Sequence, residues 1–339
     1  MSQGNSFQAP ERRPRFSLLR PLAGIALLGI ALFPAAFIGG AEPPAGASAP
    51  LPAEAASGVP IAPGAKLQRL AGGFAFTEGP AADASGNVYF TDQPKDRIWI
   101  WTTDGKLKLF RDKTGRANGL YFDNAGALLA CSDENNELWR FDVKTGTHEV
   151  LTGGFDGKNF NGPNDLWIHP NGGIYFTDPL YERDYWKSRH PLRKDGEQVY
   201  YLLPGEKVCR VATAAIRFKK PNGIIGSLDG KRLYVSDIGA GKIYVHELAP
   251  DGSLLSQRLF AKAVADGMTL DSEENLYLAG KKGVTVFNRN GVLLGVIAVK
   301  EPWTANVCFG GKDGKTLFIT ASGALYSIEM KTTRNTPGR

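Results

Sequence analysis

"PNGIIGSLDGKRLYVSD", residues 221–237, decides how the chain is read. Its second half is a turn, Asp229-Gly230, feeding an alternating strand (Leu233, Tyr234, Val235) that stops at Asp237. Its first half is odder. Asn222 stands beside Gly223, ahead of Ile224-Ile225, where a plain strand start would serve. The arrangement recurs. Six segments align on a strand after a Gly or Asn turn: "GNVYFTD" (86–92), "GALLACSD" (126–133), "GGIYFTD" (172–178), "GKRLYVSD" (230–237), "ENLYLAG" (274–280) and "GKTLFITA" (314–321).

Their anchors, Tyr89, Leu129, Tyr175, Tyr234, Tyr277 and Phe318, are 40, 46, 59, 43 and 41 residues apart. That period fits one four-stranded propeller blade, and six anchors argue for six blades. The segments between anchors supply further strands, as in "RIWIWTTDGKLKLF" (97–110) and "KIYVHELAPDGSLLSQRLF" (242–260). The ring must close, because an open edge strand invites aggregation. "LYSIEM" (325–330) is expected as the third strand of the last blade and "AKLQRLAGG" (65–73) as its fourth. The fold class is therefore all-β, a six-bladed β-propeller over 65–332 with a tail at 333–339. The long interval holds an insertion, "LYERDYWKSRHPLRKDGEQ" (180–198), read as a lid or a solvated loop.

The first 41 residues form an export signal or a membrane anchor. "ERRPR" is a positive start, and an apolar run over 21–38 leads to small residues. The run approaches the about 17–25 residues that span a bilayer. Residues 42–64 are a Pro/Ala-rich linker. The protein is expected to be exported, periplasmic or secreted, with inner-membrane anchoring as the alternative. Any membrane contact runs through this segment, if it is not cleaved. The net charge of +6 includes +2 from the first 50 residues. The rest carries no basic run interleaved with aromatics, so a nucleic-acid partner is excluded, and no protein partner is expected. Cys131, Cys209 and Cys308 are far apart and form no C-x-x-C pair, so they read as small buried hydrophobes. The four histidines pair with no candidate nucleophile, and no G-x-S-x-G occurs, which sets aside a serine hydrolase.

Eleven or twelve residues before each anchor stands an acid or an amide: Glu78, Asn118, Asn164, Asn222, Asp266 and Asn306. Equivalent positions in a propeller are related by rotation about its axis. Placed at the start of the innermost strand, all six face the central channel. Six oxygen-bearing groups on one axis suit a hard cation such as Ca²⁺. Taken singly, each also reads as an ordinary turn residue.

With these motifs in view, "TEGPAADASGNVYFTD", "GPNDLWIHPNGGIYFTDP", "PNGIIGSLDGKRLYVSD" and "ADGMTLDSEENLYLAG" resemble the gluconolactonase / senescence marker protein / luciferin-regenerating enzyme family. The resemblance covers about residues 78–330. It implies a six-bladed propeller with one divalent cation, usually Ca²⁺, with Zn²⁺, Mg²⁺ and Mn²⁺ as alternatives. It implies hydrolysis of a sugar lactone such as glucono-1,5-lactone. By motif, the metal ligands fall on Glu78, Asn164, Asn222 and Asp266, with Asp266 as general base and Glu78 in reserve. Asn118, Asn306, Tyr181 and Arg183 are the candidate substrate contacts. Animal members carry an Arg where Gly162 stands here, so their sugar contacts do not transfer. A broad lactonase, a phosphotriesterase-like hydrolase and a non-catalytic calcium-stabilised binding propeller are the competing readings.

Overall fold

The computed structural model describes residues 58–186, 196–212 and 216–334. Six four-stranded antiparallel sheets follow the chain in order. Their innermost strands are Thr77–Ala82, Ala117–Phe122, Leu166–Ile168, Pro221–Gly226, Met268–Leu270 and Thr304–Gly310. Their second strands are Val88–Asp92, Leu128–Ser132, Ile174–Asp178, Arg232–Asp237, Leu276–Gly280 and Thr316–Ala321. All six anchors lie on these second strands and are buried. The last sheet is built from Thr304–Gly310, Thr316–Ala321 and Ala324–Glu329, and closed by Gln68–Gly72 from the start of the domain. Gln68 pairs with Ser327 and Gly72 with Ala324, so the two ends of the propeller clasp each other as expected.

One local expectation changes. Leu233, Tyr234 and Val235 were read as alternating, yet all three are buried. Blades stack face to face, so each second strand is covered on both sides. Leu233 and Val235 join Tyr234 in one apolar cluster spanning neighbouring blades.

The domain also begins earlier than residue 65. Gly58 N–H donates to Leu294 O, Ala62 N–H to Glu329 O, and Lys331 N–H to Pro60 O. Val59 is buried among Val299, Ile328 and Met330, an apolar seat that a free linker would not occupy. At the other end, Arg334 N–H donates to Gly314 O and its guanidinium to Asp83 O, so the expected tail is also part of the propeller to that point. The expected signal or anchor and most of the linker lie outside the described residues.

The three cysteines are buried, as their spacing suggested. His246 is buried on Lys242–Glu247 and meets Ser256 O through Nδ1 at 2.9 Å. "GKDGKT" is the hairpin turn between Thr304–Gly310 and Thr316–Ala321.

Candidate functional site

The geometry answers the question posed by Asn222-Gly223. Glu78, Asn118 and Asn222 occupy the second position of their innermost strands, and Asn306 the third. Asn164 and Asp266 sit two residues ahead of theirs, still paired through Asn164 N–H to Thr177 O and Asp266 N–H to Ala279 O, both 2.9 Å. In blades 1, 2, 4 and 6 the strand register shifts at this point. Such an irregularity re-aims side chains. Glu78, Asn118, Asn164, Asn222 and Asn306 are buried, and Asp266 is half-buried.

The neighbouring glycines exist because inner strands of adjacent blades nearly touch. A Cβ on Gly223 would lie 2.6 Å from Asp266 O. On Gly79 it would lie 2.1 Å from Asn118 O, at a φ of +45° that already favours glycine. Backbone bonds cross the same gaps, Gly119 N–H to Asn164 O at 2.8 Å and Gly267 N–H to Ala305 O at 2.7 Å. In blades 1, 2, 4 and 5 the residue after the acid or amide is thus a glycine that makes room for the neighbouring blade.

Asp266 is held on both oxygens. Asn222 Nδ2 donates to its Oδ1 at 2.9 Å, and Trp303 Nε1 donates to its Oδ2 at 2.6 Å. Burial lifts its carboxyl to about 6 against these two donors and the Arg183 charge, which pull it down. Glu78 accepts from Gly79 N–H at 2.9 Å. Burial raises its pKa well above the usual range, and the Asp266 and Asp165 charges add to this. Asn222 Nδ2 also meets the Tyr181 hydroxyl at 2.9 Å, which leaves the Asn222 carbonyl oxygen as its remaining donor atom for a ligand.

Asp165, the residue after Asn164, was not singled out in the sequence. It is buried, accepts from Leu166 N–H at 2.9 Å, and burial pushes its pKa up to about 7. Asn306 Oδ1 accepts from Val307 N–H at 2.8 Å, and its side chain offsets part of the rise at Glu78 and Asp165. Asn306 thus stands near both carboxylates. The signal for Asp165 was available: "PND" carries an acid where "ANG" and "PNG" carry glycine. Trp303, three residues before Asn306, carried no such signal.

Of the insertion, residues 180–186 and 196–198 are described, and 180–186 form a strap at the same end of the channel. Tyr181 reaches Asn222, whereas Arg183 Nε pairs with Asp133 Oδ2 at 2.8 Å. Asn118 is buried, and its backbone carbonyl accepts from the Thr91 hydroxyl at 3.2 Å. On the far side of the ring, a cavity of about 780 Å³ follows the axis past Asp165, Asn306, Tyr121 and Trp167.

Among the described residues, no three His, Cys, Asp or Glu side chains converge closely enough to hold a metal on their own. A cation here would rely on Asn carbonyls as well as carboxylates. The set fits one: the buried Glu78 and Asp165 and the half-buried Asp266 repel one another, and the donors beside them are amides and an indole.

Fold and site together define a six-bladed β-propeller enzyme with an acid-and-amide ring at its axis. A family profile described as SMP-30/Gluconolactonase/LRE-like region matches residues 76–323, and the chain belongs to that family. It is similar to a gluconolactonase from Zymomonas mobilis subsp. mobilis, 29% identical over 295 residues, covering 78% of this chain and 82% of that protein. A solved gluconolactonase from Xanthomonas campestris superposes with a TM-score of 0.77 at 27% identity, covering 85% of this chain and 98% of the other. A regucalcin from Agrobacterium tumefaciens str. C58, described as calcium-binding, superposes with a TM-score of 0.64 at 19% identity, covering 78% and 94%. That last likeness supports the fold alone.

Proposed function

We propose that this protein hydrolyses a sugar lactone to its hydroxy acid with the help of one divalent cation. The observation that carries the reading is Asp266: a half-buried carboxylate in the axial ring, fixed on both oxygens, beside Glu78 and Asp165. The gluconolactonase names of the relatives supply the substrate class.

Glu78, Asn164, Asn222 and Asp266 would hold the cation, with Ca²⁺ favoured by an all-oxygen donor set. When bound, it would act as a Lewis acid toward the ester carbonyl. Asp266 accepts the proton of the attacking water. Trp303 and Asn222 keep its oxygens from rotating away. Tyr181 and Asn118 would meet the ring hydroxyls of the lactone. Hydrolysis breaks the acyl C–O bond, and the ring oxygen leaves as a hydroxyl once it regains a proton.

The test is acid release from glucono-1,5-lactone by purified protein, stripped with chelator and then given Ca²⁺, measured above the spontaneous rate. Activity restored by Ca²⁺ supports the reading. Tight Ca²⁺ binding with no turnover overturns the sugar-lactone assignment. A panel of other lactones and phosphotriesters then separates a broad hydrolase from a binding propeller.

A further inference from the structure

Asp133 breaks a rule that blades 1, 3 and 4 obey. The second strands of blades 1, 3 and 4 end in Asp92, Asp178 and Asp237. Each uses its carboxylate to fasten the backbone that leads into its own blade. Asp92 accepts from Ala75 and Phe76 N–H at 3.0 and 3.1 Å. Asp178 accepts from Asn161 and Gly162 N–H, both at 2.9 Å. Asp237 accepts from Lys219 and Lys220 N–H at 3.0 and 2.9 Å. In blade 2 the corresponding residue is Ser132, whose hydroxyl donates to Gly115 O at 3.1 Å. Asp133 lies one residue further on and takes its partners from other blades.

Three side chains donate to Asp133 Oδ2: Arg183 Nε at 2.8 Å, Tyr185 hydroxyl at 2.7 Å and Gln93 Nε2 at 3.1 Å. Arg183 and Tyr185 belong to the strap of blade 3, and Gln93 to blade 1. A fourth bond runs from Trp186 Nε1 to Asp133 O at 3.2 Å. Asp133 is only 3% exposed, and a charge so deeply buried is retained when its donors converge on it. The Arg116 guanidinium lies 4.5 Å above the Tyr185 ring, closing the cluster on the side of blade 2.

The other end of the strap is fixed across the channel mouth. Lys220 Nζ donates to Leu180 O at 3.1 Å and sits 4.7 Å above the Tyr181 ring, while Asn222 meets the Tyr181 hydroxyl. Gly162 completes the fit. A Cβ there would lie 2.7 Å from Asp133 Oδ1 and 2.9 Å from the Trp186 ring, so Asp133 and the strap fill the space a side chain would take.

We propose that Asp133 is a positioning residue that bolts the 180–186 strap across the mouth. Tyr181 and Arg183 are thereby held as the groups that select hydroxyl-bearing lactones over unsubstituted ones. This rests on the lactone reading above. The specificity element is then assembled from four blades, and Asp133 acts through the strap without touching substrate.

The experiment compares glucono-1,5-lactone with δ-valerolactone, which has the same ring without hydroxyls, in wild type, Asp133→Ala and Tyr185→Phe. The expected result is a fall of about tenfold or more in the ratio of kcat/KM for the two lactones in Asp133→Ala, carried mainly by KM, because small misplacements of positioning groups have effects of this size. Tyr185→Phe should shift the ratio the same way and less, and it serves alone if Asp133→Ala does not fold. A purely structural role would lower both substrates together and leave the ratio unchanged, which overturns the proposal. Amide exchange over 180–186 is measured in the same variants. Faster exchange supports the bolt, and unchanged exchange overturns it. If wild type hydrolyses neither lactone, the lactone reading and the selectivity fall, and amide exchange still decides the bolt.

Discussion

Replacing Asp266 with Asn separates stability from chemistry. The substitution keeps the shape and removes the charge. In the wild type, N–H donors face both carboxylate oxygens, from Asn222 at 2.9 Å and Trp303 at 2.6 Å. An amide can offer oxygen to only one of them and turns its NH₂ toward the other. One buried donor loses its acceptor, at a cost of about 1–3 kcal/mol. Against this stands the cost of the buried charge. Burial lifts the Asp266 carboxyl from 3.8 to about 6, which corresponds to about 3 kcal/mol on the folded state once the group is ionised.

The sign follows from the raised value. The protonated acid favours the folded state below 3.8, and that contribution is lost as pH rises through about 6. In cation-free protein, Asp266→Asn should gain on the wild type by about 3 kcal/mol between pH 4 and pH 8. At pH 8 it should be equal to the wild type or up to about 2 kcal/mol more stable. Turnover should fall by about 10²–10⁴, the usual yield of a general base. The assay is urea unfolding of chelated protein at both pH values, paired with lactone hydrolysis in Ca²⁺. A variant clearly less stable than wild type at pH 8, or one that turns over lactone normally, would refute the reasoning.

Three more outcomes are expected. Glu78→Gln removes one of three repelling carboxylates, so it should weaken Ca²⁺ binding while raising the melting temperature of the chelated protein; calorimetry and thermal melts check the two signs. Gly223→Ala drives a Cβ to 2.6 Å from Asp266 O, and overpacking of this kind costs about 1–3 kcal/mol, read as a drop of roughly 2–10 °C in melting temperature; an unchanged melt contradicts the close blade contact. His246 is buried with its pKa pushed down to about 4, so its contribution is complete above 6.5 and lost as pH falls toward 4, about 3 kcal/mol in all; His246→Gln should flatten that acid slope in unfolding titrations, and parallel slopes would contradict it.

The propeller was legible in the sequence because its information is local. A turn, a strand and a spacing repeat six times, and within each blade the hairpin fixes where the residue eleven or twelve before the anchor must point. Glu78, Asn118, Asn164, Asn222, Asp266 and Asn306 could therefore be picked out as one ring without coordinates. The closing strand could be assigned too, since an open ring would leave an edge.

What only the tertiary structure decided is how those residues are used. Trp303 reaches Asp266 across 37 residues, and Asn222 reaches it across 44. Asn306 comes near Glu78 and Asp165, which arrive from other blades. Gly223 proved to be a space for Asp266 O, which its own blade does not reveal. Asp133 gathers partners 40, 50 and 52 residues away. Spacing along one chain encodes a repeated unit, because each unit folds on contacts within itself. The chemistry at the axis depends on contacts between units, and no single repeat contains them.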